Sequence, residues 1–529
     1  MPAKNSRASR FRLRQAPGPK SSAPRGRATS QPPAVVPVVP VSLLLDLVVL
    51  ALAAAYLVVL WRQASPAMFA SDECFHAYLS EWIAGHATFP RTLPELYSGL
   101  PYFYPPLFHL AGAAIVKLAG AGALRYLNVV LTGLLVVALF ALPVPGVTRA
   151  ARRCAVLLSM ASRALSLYAV RFYAETLATL LAVVVLLLLL RARARPGARA
   201  GALLGLAVGA ALLAKQPAEV LPVLLVALAG SDLARGRRPE AMAMLVALGV
   251  AMVVALPFFV RNAMLFGSPF YPPITNNAQV ALDAMNTRLF SLPAPMFYRN
   301  ALIVMGPIVP WLALFALGWN VARGRFDVVT GLIAGSIVFT LLAPWVPRFQ
   351  PRHLNPVTAM LAVLGSMVLM GALRDRHRLG PALQAGLIVW ALVFVARLTG
   401  LRAGLDAAPA DREAYQAIAS HVPAEGTVLS RFTYDTWYYA RRKATWPIPW
   451  GETAGQLELF TVVDPDHFLA ALDREGIGYL LVPRSPSGPR FNGANYPQSF
   501  VTCVATLVEG GRLTVLWRSD RLALVARGR

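Results

Sequence analysis

Long apolar runs limit this chain to few kinds of fold. The stretch from Leu177 to Leu190 reads LATLLAVVVLLLLL and holds no charge. Overall, 57% of the residues are hydrophobic and 14% are charged. A soluble core does not need such runs, whereas a bilayer needs about 20 apolar residues for each helical crossing. The sequence therefore predicts an α-helical polytopic membrane protein with about 11–13 transmembrane helices.

The net charge of +25 could indicate a nucleic-acid-binding protein, but the positions of the cations argue against one. They cluster at the ends of apolar segments and in residues 1–40, as in cytoplasmic loops that face anionic lipid. Residues 1–40 carry eight Lys or Arg, no acid and many Pro and Ser, so we predict a disordered cytoplasmic tail. The N-terminus is then cytoplasmic.

Arginine clusters predict which side of the membrane each loop faces. We assign inside the basic loops near residues 149–153, 191–199, 235–238, 323–325 and 374–378. The alternate loops then lie outside, including a first external loop at 62–105. Because Leu107 to Gly120 is short and contains Lys117, we expect it not to cross. That leaves eleven spans within a transmembrane domain at 41–400.

The composition changes after Leu405, and we predict an extracytoplasmic α/β domain at 405–529. Helices are expected at 413–420 and 465–475. Strands are expected at 427–432, 478–483, 501–508, 513–517 and 522–526.

The external loops contain the acids that could take part in catalysis. Asp72 and Glu73 follow the first crossing, and Glu175 begins the apolar run to Leu190. A carboxylate at a membrane end can take a proton from an attacking hydroxyl group. The alternatives are that the pair only solvates a loop, and that Glu175 only complements a helix dipole.

The same loops also carry cations and aromatic rings. Several cations outside suggest an anionic ligand such as a lipid phosphate, although each one could instead snorkel. The rings could stack on a sugar or form an interfacial belt. His76 stands four residues after Asp72, so the two could share a metal. The substrate-binding candidates are Lys215, Arg261, Asn262, Arg348, Arg352, His353, Tyr102, Tyr104 and Tyr271.

An ordered set of motifs resembles a known superfamily. Asp72-Glu73 follows one crossing, and Tyr104-Pro105-Pro106-Leu107 closes the loop. Ala214-Lys215 ends a glycine-containing helix, and Pro257, Arg261-Asn262, Gly267, Pro269 and Tyr271-Pro272 follow. Arg352-His353-Leu354 with Pro356 opens a late helix. This pattern resembles the GT-C superfamily of integral-membrane glycosyltransferases, in particular bacterial relatives of the protein mannosyltransferase family (family 39).

The resemblance implies sugar transfer from a polyprenyl-phosphate donor on the non-cytoplasmic face of a bacterial plasma membrane, usually with inversion. Asp72 would be the base or acceptor-orienting carboxylate, with Glu73 beside it, and Lys215, Arg261 and Arg352 would contact the donor phosphate. The acceptor would be a cell-envelope glycan, lipid or protein. A divalent cation (Mg or Mn) could take part. The family's second acidic site is often an aspartate before a late-middle helix, and only Glu175 can be offered here.

Three other functions fit the same residues. A transporter or flippase for a lipid-linked sugar could line its path with these cations and rings. A non-catalytic membrane assembly protein could bind its ligand with the external domain. An oligosaccharyltransferase would differ from the first hypothesis only in its donor.

Overall fold

A computed structural model of the protein describes residues 41–64, 69, 72–90, 102, 104–141, 143–269, 294–345, 350–374, 376, 378–398, 409–430, 433–445, 464–484 and 498–527. The chain clusters into two units, Met1–Leu45 and Asp46–Arg529. Of the first unit, residues 41–45 are described, and they form the first helical turn.

The described part of the chain is mostly helical up to residue 398. The helices are α1 (Val41–Gln63), α2 (Asp72–His86), α3 (Leu107–Ala119), α4 (Leu124–Ala141), α5 (Arg149–Met160), α6 (Arg163–Ala169), α7 (Glu175–Ala194), α8 (Ala198–Ala214), α9 (Val220–Ala234), α10 (Arg238–Phe266), α11 (Ala294–Met305), α12 (Ile308–Ala322), α13 (Val328–Leu342), α14 (Asn355–Ala372) and α15 (Leu379–Leu398).

These helices make the chain a multi-pass membrane protein. Within the described ranges, eight helical segments are long and apolar enough to cross a membrane, or up to nine if one bent pair counts as a span. This is fewer than the 11–13 helices predicted from sequence. The apolar helix α3 has 13 residues, about 20 Å, which is too short to cross and agrees with our expectation for that segment.

Two apolar stretches form broken helices. The stretch at 154–168 divides between α5 and α6 at Ser162, whose hydroxyl accepts a hydrogen bond from the backbone N–H of Leu165. The stretch at 300–321 divides between α11 and α12, which bend by 91°. The bend lies at Gly306, whose φ of +74° ends the first helix and suits glycine.

Helices α8 and α10 approach each other closely because glycine faces the contact. A Cβ atom at Gly205 would lie 2.5 Å from the carbonyl oxygen of Ala247, and one at Gly201 would lie 2.5 Å from that of Ala243. Small residues let membrane helices pack backbone to backbone. Lys215 follows the last residue of this helix.

Among its described residues, the C-terminal part contains four helices and a mixed sheet of five strands. The helices are α16 (Pro409–His421), α17 (Thr433–Ala440), α18 (Pro465–Arg474) and α19 (Gln498–Glu509). The strands are β1 (Thr427–Ser430), β2 (Lys443–Thr445), β3 (Tyr479–Pro483), β4 (Leu513–Arg518) and β5 (Leu522–Arg527), in the order β2-β1-β3-β5-β4. β1 pairs in parallel with β2 and β3, whereas β5 pairs antiparallel with β3 and β4.

Alternating strand residues give the sheet two apolar faces. Leu480 and Val482 of β3 pack in one cluster with α18 and α19, whereas Leu481 packs in the other with α16. The prediction of a strand at 501–508 is wrong, because this segment lies in α19. Its buried residues recur with helical spacing at Phe500, Cys503, Val504 and Leu507. Helix α17 and strand β2 were not predicted.

Candidate active site

Four charged residues from distant parts of the chain form one chain of ion pairs. Arg352 Nη2 lies 2.7 Å from Asp72 Oδ2, and Arg352 Nε lies 3.3 Å from Glu175 Oε1. Lys215 Nζ lies 2.6 Å from the same Glu175 oxygen. The order is therefore Asp72, Arg352, Glu175 and Lys215, with formal charges that sum to zero. We call these four residues the ion-pair chain.

Each member of the ion-pair chain stands at a helix end. Asp72 and Glu175 are the first residues of α2 and α7, where a carboxylate complements the helix dipole. Lys215 follows α8 in an extended conformation. Arg352 lies in the 3-10 turn Pro351–Leu354, just before α14.

That 3-10 turn is capped from both sides. The backbone N–H of Gln350 donates to His353 Nδ1 at 3.3 Å, and the Gln350 side chain accepts from the backbone N–H of His353. His353 therefore orders the turn that carries Arg352.

Burial differs along the ion-pair chain. The Glu175 side chain is 3% exposed, whereas those of Lys215 and Arg352 are 20% exposed and that of Asp72 is 25% exposed. The Arg352 guanidinium also lies 5.3 Å from the centre of the Tyr173 ring, a cation–π distance. A ligand can thus reach Asp72, Lys215 and Arg352. Glu175 is buried and forms ion pairs with both of these cations.

Glu73 has a different environment from its neighbour Asp72. Arg125 Nε and Nη2 donate to the two Glu73 oxygens at 2.9 and 3.0 Å, and the backbone N–H of Phe172 donates to Oε1 at 2.7 Å. The side chains of Glu73 and Arg125 are at most 2% exposed. The pair joins α2, α4 and the connection that leads to Glu175.

Asn128 supports the same connection from α4. Its side-chain amide donates to the backbone carbonyls of Arg171 at 2.5 Å and Tyr173 at 2.8 Å. A buried amide that satisfies loop carbonyls fixes the path of the backbone. Together with Glu73 and Arg125, it sets the position from which α7 begins.

The fold of the chain is similar to that of known structures. ArnT from Cupriavidus metallidurans, bound to undecaprenyl phosphate, superimposes with a TM-score of 0.59 at 16% identity, over 90% of this chain and 97% of that one. The oligosaccharyltransferase AglB from Archaeoglobus fulgidus, in complex with an inhibitory peptide and a dolichol-phosphate, gives 0.59 at 12% identity, over 83% and 69%. Both are GT-C membrane glycosyltransferases. The chain has the GT-C fold.

No protein-family profile matches the sequence, and no curated protein sequence matches it significantly. The GT-C fold is therefore recognised here through structure and through the motifs quoted above. The narrower likeness to the protein mannosyltransferase family stays a prediction.

Arg261 and Asn262 lie on α10, outside the ion-pair chain. Arg261 Nη1 donates to the Tyr102 carbonyl at 2.5 Å, and its guanidinium lies 5.4 Å from the centre of the Tyr102 ring. Asn262 is buried beside it. Tyr104 packs against Phe75 with ring centres 5.0 Å apart. The predicted binding residues Arg348 and Tyr271 lie outside the described residues.

His76 has no support as a metal ligand. Its Nδ1 lies 2.8 Å from Nε2 of His109, and burial lowers its pKa from 6.5 to about 4. Among the residues that the structure describes, no group of three His, Cys, Asp or Glu side chains is suited to hold a metal. Asp72 and Glu175 are moreover paired with Arg352 and Lys215, so their charge is already balanced. These residues do not fit a divalent cation.

Sequence reasoning missed three residues around the site: Arg125, His109 and Tyr173. Arg125 begins an apolar helix at an end where arginine is otherwise sparse, which is a usable signal. His109 follows the Tyr-Pro-Pro-Leu motif by two residues. Nothing in the sequence indicated that Tyr173 lies under Arg352.

Proposed function

We propose that this protein is a glycosyltransferase that moves a sugar from a polyprenyl-phosphate-linked donor to a cell-envelope acceptor. The observation that carries the proposal is the ion-pair chain. Its members are up to 280 residues apart in sequence, yet they meet at one end of the helices. Charged residues are costly near a membrane, and a cluster of them is a functional site by default.

Asp72 is the proposed catalytic base. Its carboxylate is the most exposed of the four side chains, and it lies 2.7 Å from Arg352 at the edge of the cluster, where an acceptor hydroxyl group can reach it. Glu73 is set aside for this role, because both of its oxygens are used in buried contacts. Glu175 is proposed to hold Lys215 and Arg352 in place.

Lys215 and Arg352 are the proposed phosphate ligands. Each is one-fifth exposed, and each already contacts a carboxylate oxygen of Glu175. A donor phosphate also presents anionic oxygens, and the same two cations can bind them. Arginine can bind two phosphate oxygens with its planar fork, and lysine adds a compact charge.

The proposed reaction is a single displacement. The acceptor oxygen attacks the anomeric carbon and forms the new glycosidic bond, while the bond from that carbon to the phosphate oxygen breaks. The hydroxyl proton goes to Asp72, and polyprenyl phosphate leaves with the electron pair beside Lys215 and Arg352. Attack opposite to the leaving group inverts the configuration of the sugar.

We place the reaction on the non-cytoplasmic side of a bacterial plasma membrane. Three of the four helices of the ion-pair chain carry arginine at their other ends, at Arg191 and Arg193 of α7, Arg199 of α8 and Arg374 after α14. Basic residues favour the cytoplasmic side. The acceptor is a glycan, lipid or protein of the envelope, and the predicted domain at 405–529 would lie on the same side as the site.

The likeness to ArnT and AglB supports the lipid carrier. The ArnT structure holds undecaprenyl phosphate and that of AglB holds a dolichol-phosphate. Both ligands are polyprenyl phosphates.

The test compares wild type with Asp72→Asn, both purified into lipid nanodiscs. Transfer is measured from a panel of polyprenyl-phosphate sugars to envelope extracts, and donor binding is measured separately. We expect the variant to bind donor as wild type does and to lose about 10²- to 10⁴-fold in transfer rate. Glu425→Gln, which changes an exposed acid of the C-terminal part, serves as the matched control.

Equal transfer by wild type and Asp72→Asn would remove Asp72 from the chemical step. Donor binding without transfer in wild type would favour a carrier for lipid-linked sugars. The donor that gives transfer would tell a single-sugar enzyme from an oligosaccharyltransferase.

A further inference from the structure

Three buried side chains form a continuous hydrogen-bonded chain beside the ion-pair chain. The Tyr102 hydroxyl lies 2.8 Å from His109 Nδ1, and His109 Nε2 lies 2.8 Å from His76 Nδ1. Their exposed fractions are 1% for Tyr102, 1% for His109 and 8% for His76. We call these residues the Tyr-His-His chain.

Both ends of the Tyr-His-His chain are anchored to other elements. Arg261 of α10 donates to the Tyr102 carbonyl and lies over its ring. His76 stands four residues after Asp72 on α2, so both side chains lie on one face of that helix. The His76 ring also lies 6.1 Å from the Tyr173 ring, which carries Arg352 on its face. The Tyr-His-His chain thus connects α10 with the face of α2 that carries Asp72.

The hydrogen bonds of the Tyr-His-His chain can run in either of two directions. A neutral imidazole donates from one nitrogen and accepts at the other, and each contact holds one proton. If Tyr102 donates, His109 Nε2 donates to His76 Nδ1, and the proton of His76 lies on Nε2. If Tyr102 accepts, every bond reverses and His76 Nε2 is bare. The direction of the Tyr102 hydrogen bond and the tautomer of His76 are therefore coupled.

We propose that His109 and Tyr102 are positioning residues that set the tautomer of His76 and hold its ring on the Asp72 face of α2. This role deepens the proposed glycosyl transfer and rests on it. The second nitrogen of His76 then has a defined character, donor or acceptor, on the helix face that also carries the proposed base Asp72. A histidine ligating a metal is oriented by its second nitrogen in the same way.

The kinetic test uses His109→Phe, Tyr102→Phe and the double variant. We expect His109→Phe to lower kcat about 10- to 100-fold, with the KM for donor unchanged, because small misplacements of catalytic groups are costly. The kcat of the double variant should equal that of His109→Phe alone, because the effects of substitutions within one hydrogen-bonded network are not additive. His109→Gln, which can donate and accept, should restore part of kcat. His86→Phe, an exposed histidine at the other end of α2, is the matched control.

The second test needs no activity. In protein labelled with ¹⁵N at histidine, the His76 signals are assigned by comparison with His76→Gln, and their shifts report which nitrogen carries the proton. We expect one neutral tautomer in wild type and a different or mixed one in Tyr102→Phe. A residue with only a packing role would leave the tautomer unchanged.

The two tests separate the two proposals. If wild type transfers no sugar from any donor, the proposed function fails, and the ¹⁵N spectra alone decide on the Tyr-His-His chain. If wild type transfers sugar but His109→Phe keeps its kcat, the positioning role is overturned. An unchanged tautomer in Tyr102→Phe overturns it as well.

Discussion

Asp72 and Glu73 are adjacent acids at the start of one helix, and they have opposite environments. Consecutive helical residues point about 100° apart, so α2 directs one carboxylate to the ion-pair chain and the other into the core. Asp72 is one-quarter exposed and contacts the Arg352 guanidinium. Glu73 is 1% exposed and accepts from both the Arg125 guanidinium and a backbone N–H.

This difference separates a structural role for Glu73 from the proposed catalytic role of Asp72. A carboxylate whose oxygens are all bonded in the core cannot meet a substrate, but it can hold three segments together. A carboxylate at the edge of a charged cluster can exchange its partner for a substrate proton. Two acids that look equivalent in the sequence therefore have different expected effects when they are changed.

Glu73→Ala should have the largest effect on stability. The substitution leaves Arg125 buried without its carboxylate, which costs about 3–5 kcal/mol. Asp72→Ala breaks a partly exposed pair and should cost about 1 kcal/mol or less. Thermal unfolding of both variants in the same detergent measures the contrast. Glu73→Leu combined with Arg125→Met should recover much of the loss, and equal melting of the two single variants would contradict the comparison.

Lys215→Met should weaken donor binding. A hydrogen bond from a charged group is worth about 2 kcal/mol, which corresponds to about 30-fold in affinity. The dissociation constant of a polyprenyl-phosphate sugar, measured in nanodiscs, checks this. Lys117→Met changes an exposed lysine of α3 and should bind as wild type does. If both variants bind donor equally well, Lys215 does not contact the phosphate.

Acid should destabilise the protein through His76. The pKa of His76 is about 4 in the fold and 6.5 as its usual value, so the unfolded chain binds more protons between these values. Its stabilising contribution is present above pH 6.5 and is lost as the pH falls toward 4. From pH 7 to pH 5 the loss is about 2 kcal/mol.

Unfolding of wild type and His76→Gln at both pH values measures that contribution. The variant should show a shallower pH dependence, because it has no imidazole to protonate. The charged and titratable neighbours that act on His76 stay in both proteins: Asp72, His109, Glu175, Lys215 and Arg352. Parallel pH profiles would contradict the assignment.

The smallest effect concerns the contact between the C-terminal part and α2. The Tyr438 hydroxyl donates to Glu81, and Trp437 packs edge-on against Tyr78 with ring centres 3.8 Å apart. Tyr438→Phe removes one hydrogen bond, which costs about 1 kcal/mol. Faster hydrogen exchange in α2 should report it, with Tyr298→Phe of α11 as the control. Unchanged exchange would show that this bond does not hold α2.

The sequence predicted Asp72, Glu175, Lys215 and Arg352 as site residues, and the structure brings these four together. Each is polar in an apolar context, which makes it visible without a structure. Glu73 and His76 were equally visible, but their partners are Arg125 and His109, which lie 52 and 33 residues away. No local pattern indicates such pairings. For the same reason the sequence predicts a strand where α19 lies, since its apolar run suits both periods until its partners are known.

The sequence by itself determined that the chain crosses a membrane repeatedly and that its unusual polar residues gather at one end of the helices. Apolar run length and arginine position are local properties, and the bilayer acts on each segment separately. Only the tertiary structure decided which acid faces the charged cluster and which cation each acid meets. Those choices depend on how helices far apart in sequence rotate and pack against each other, and glycine contacts such as that of α8 with α10 set that packing.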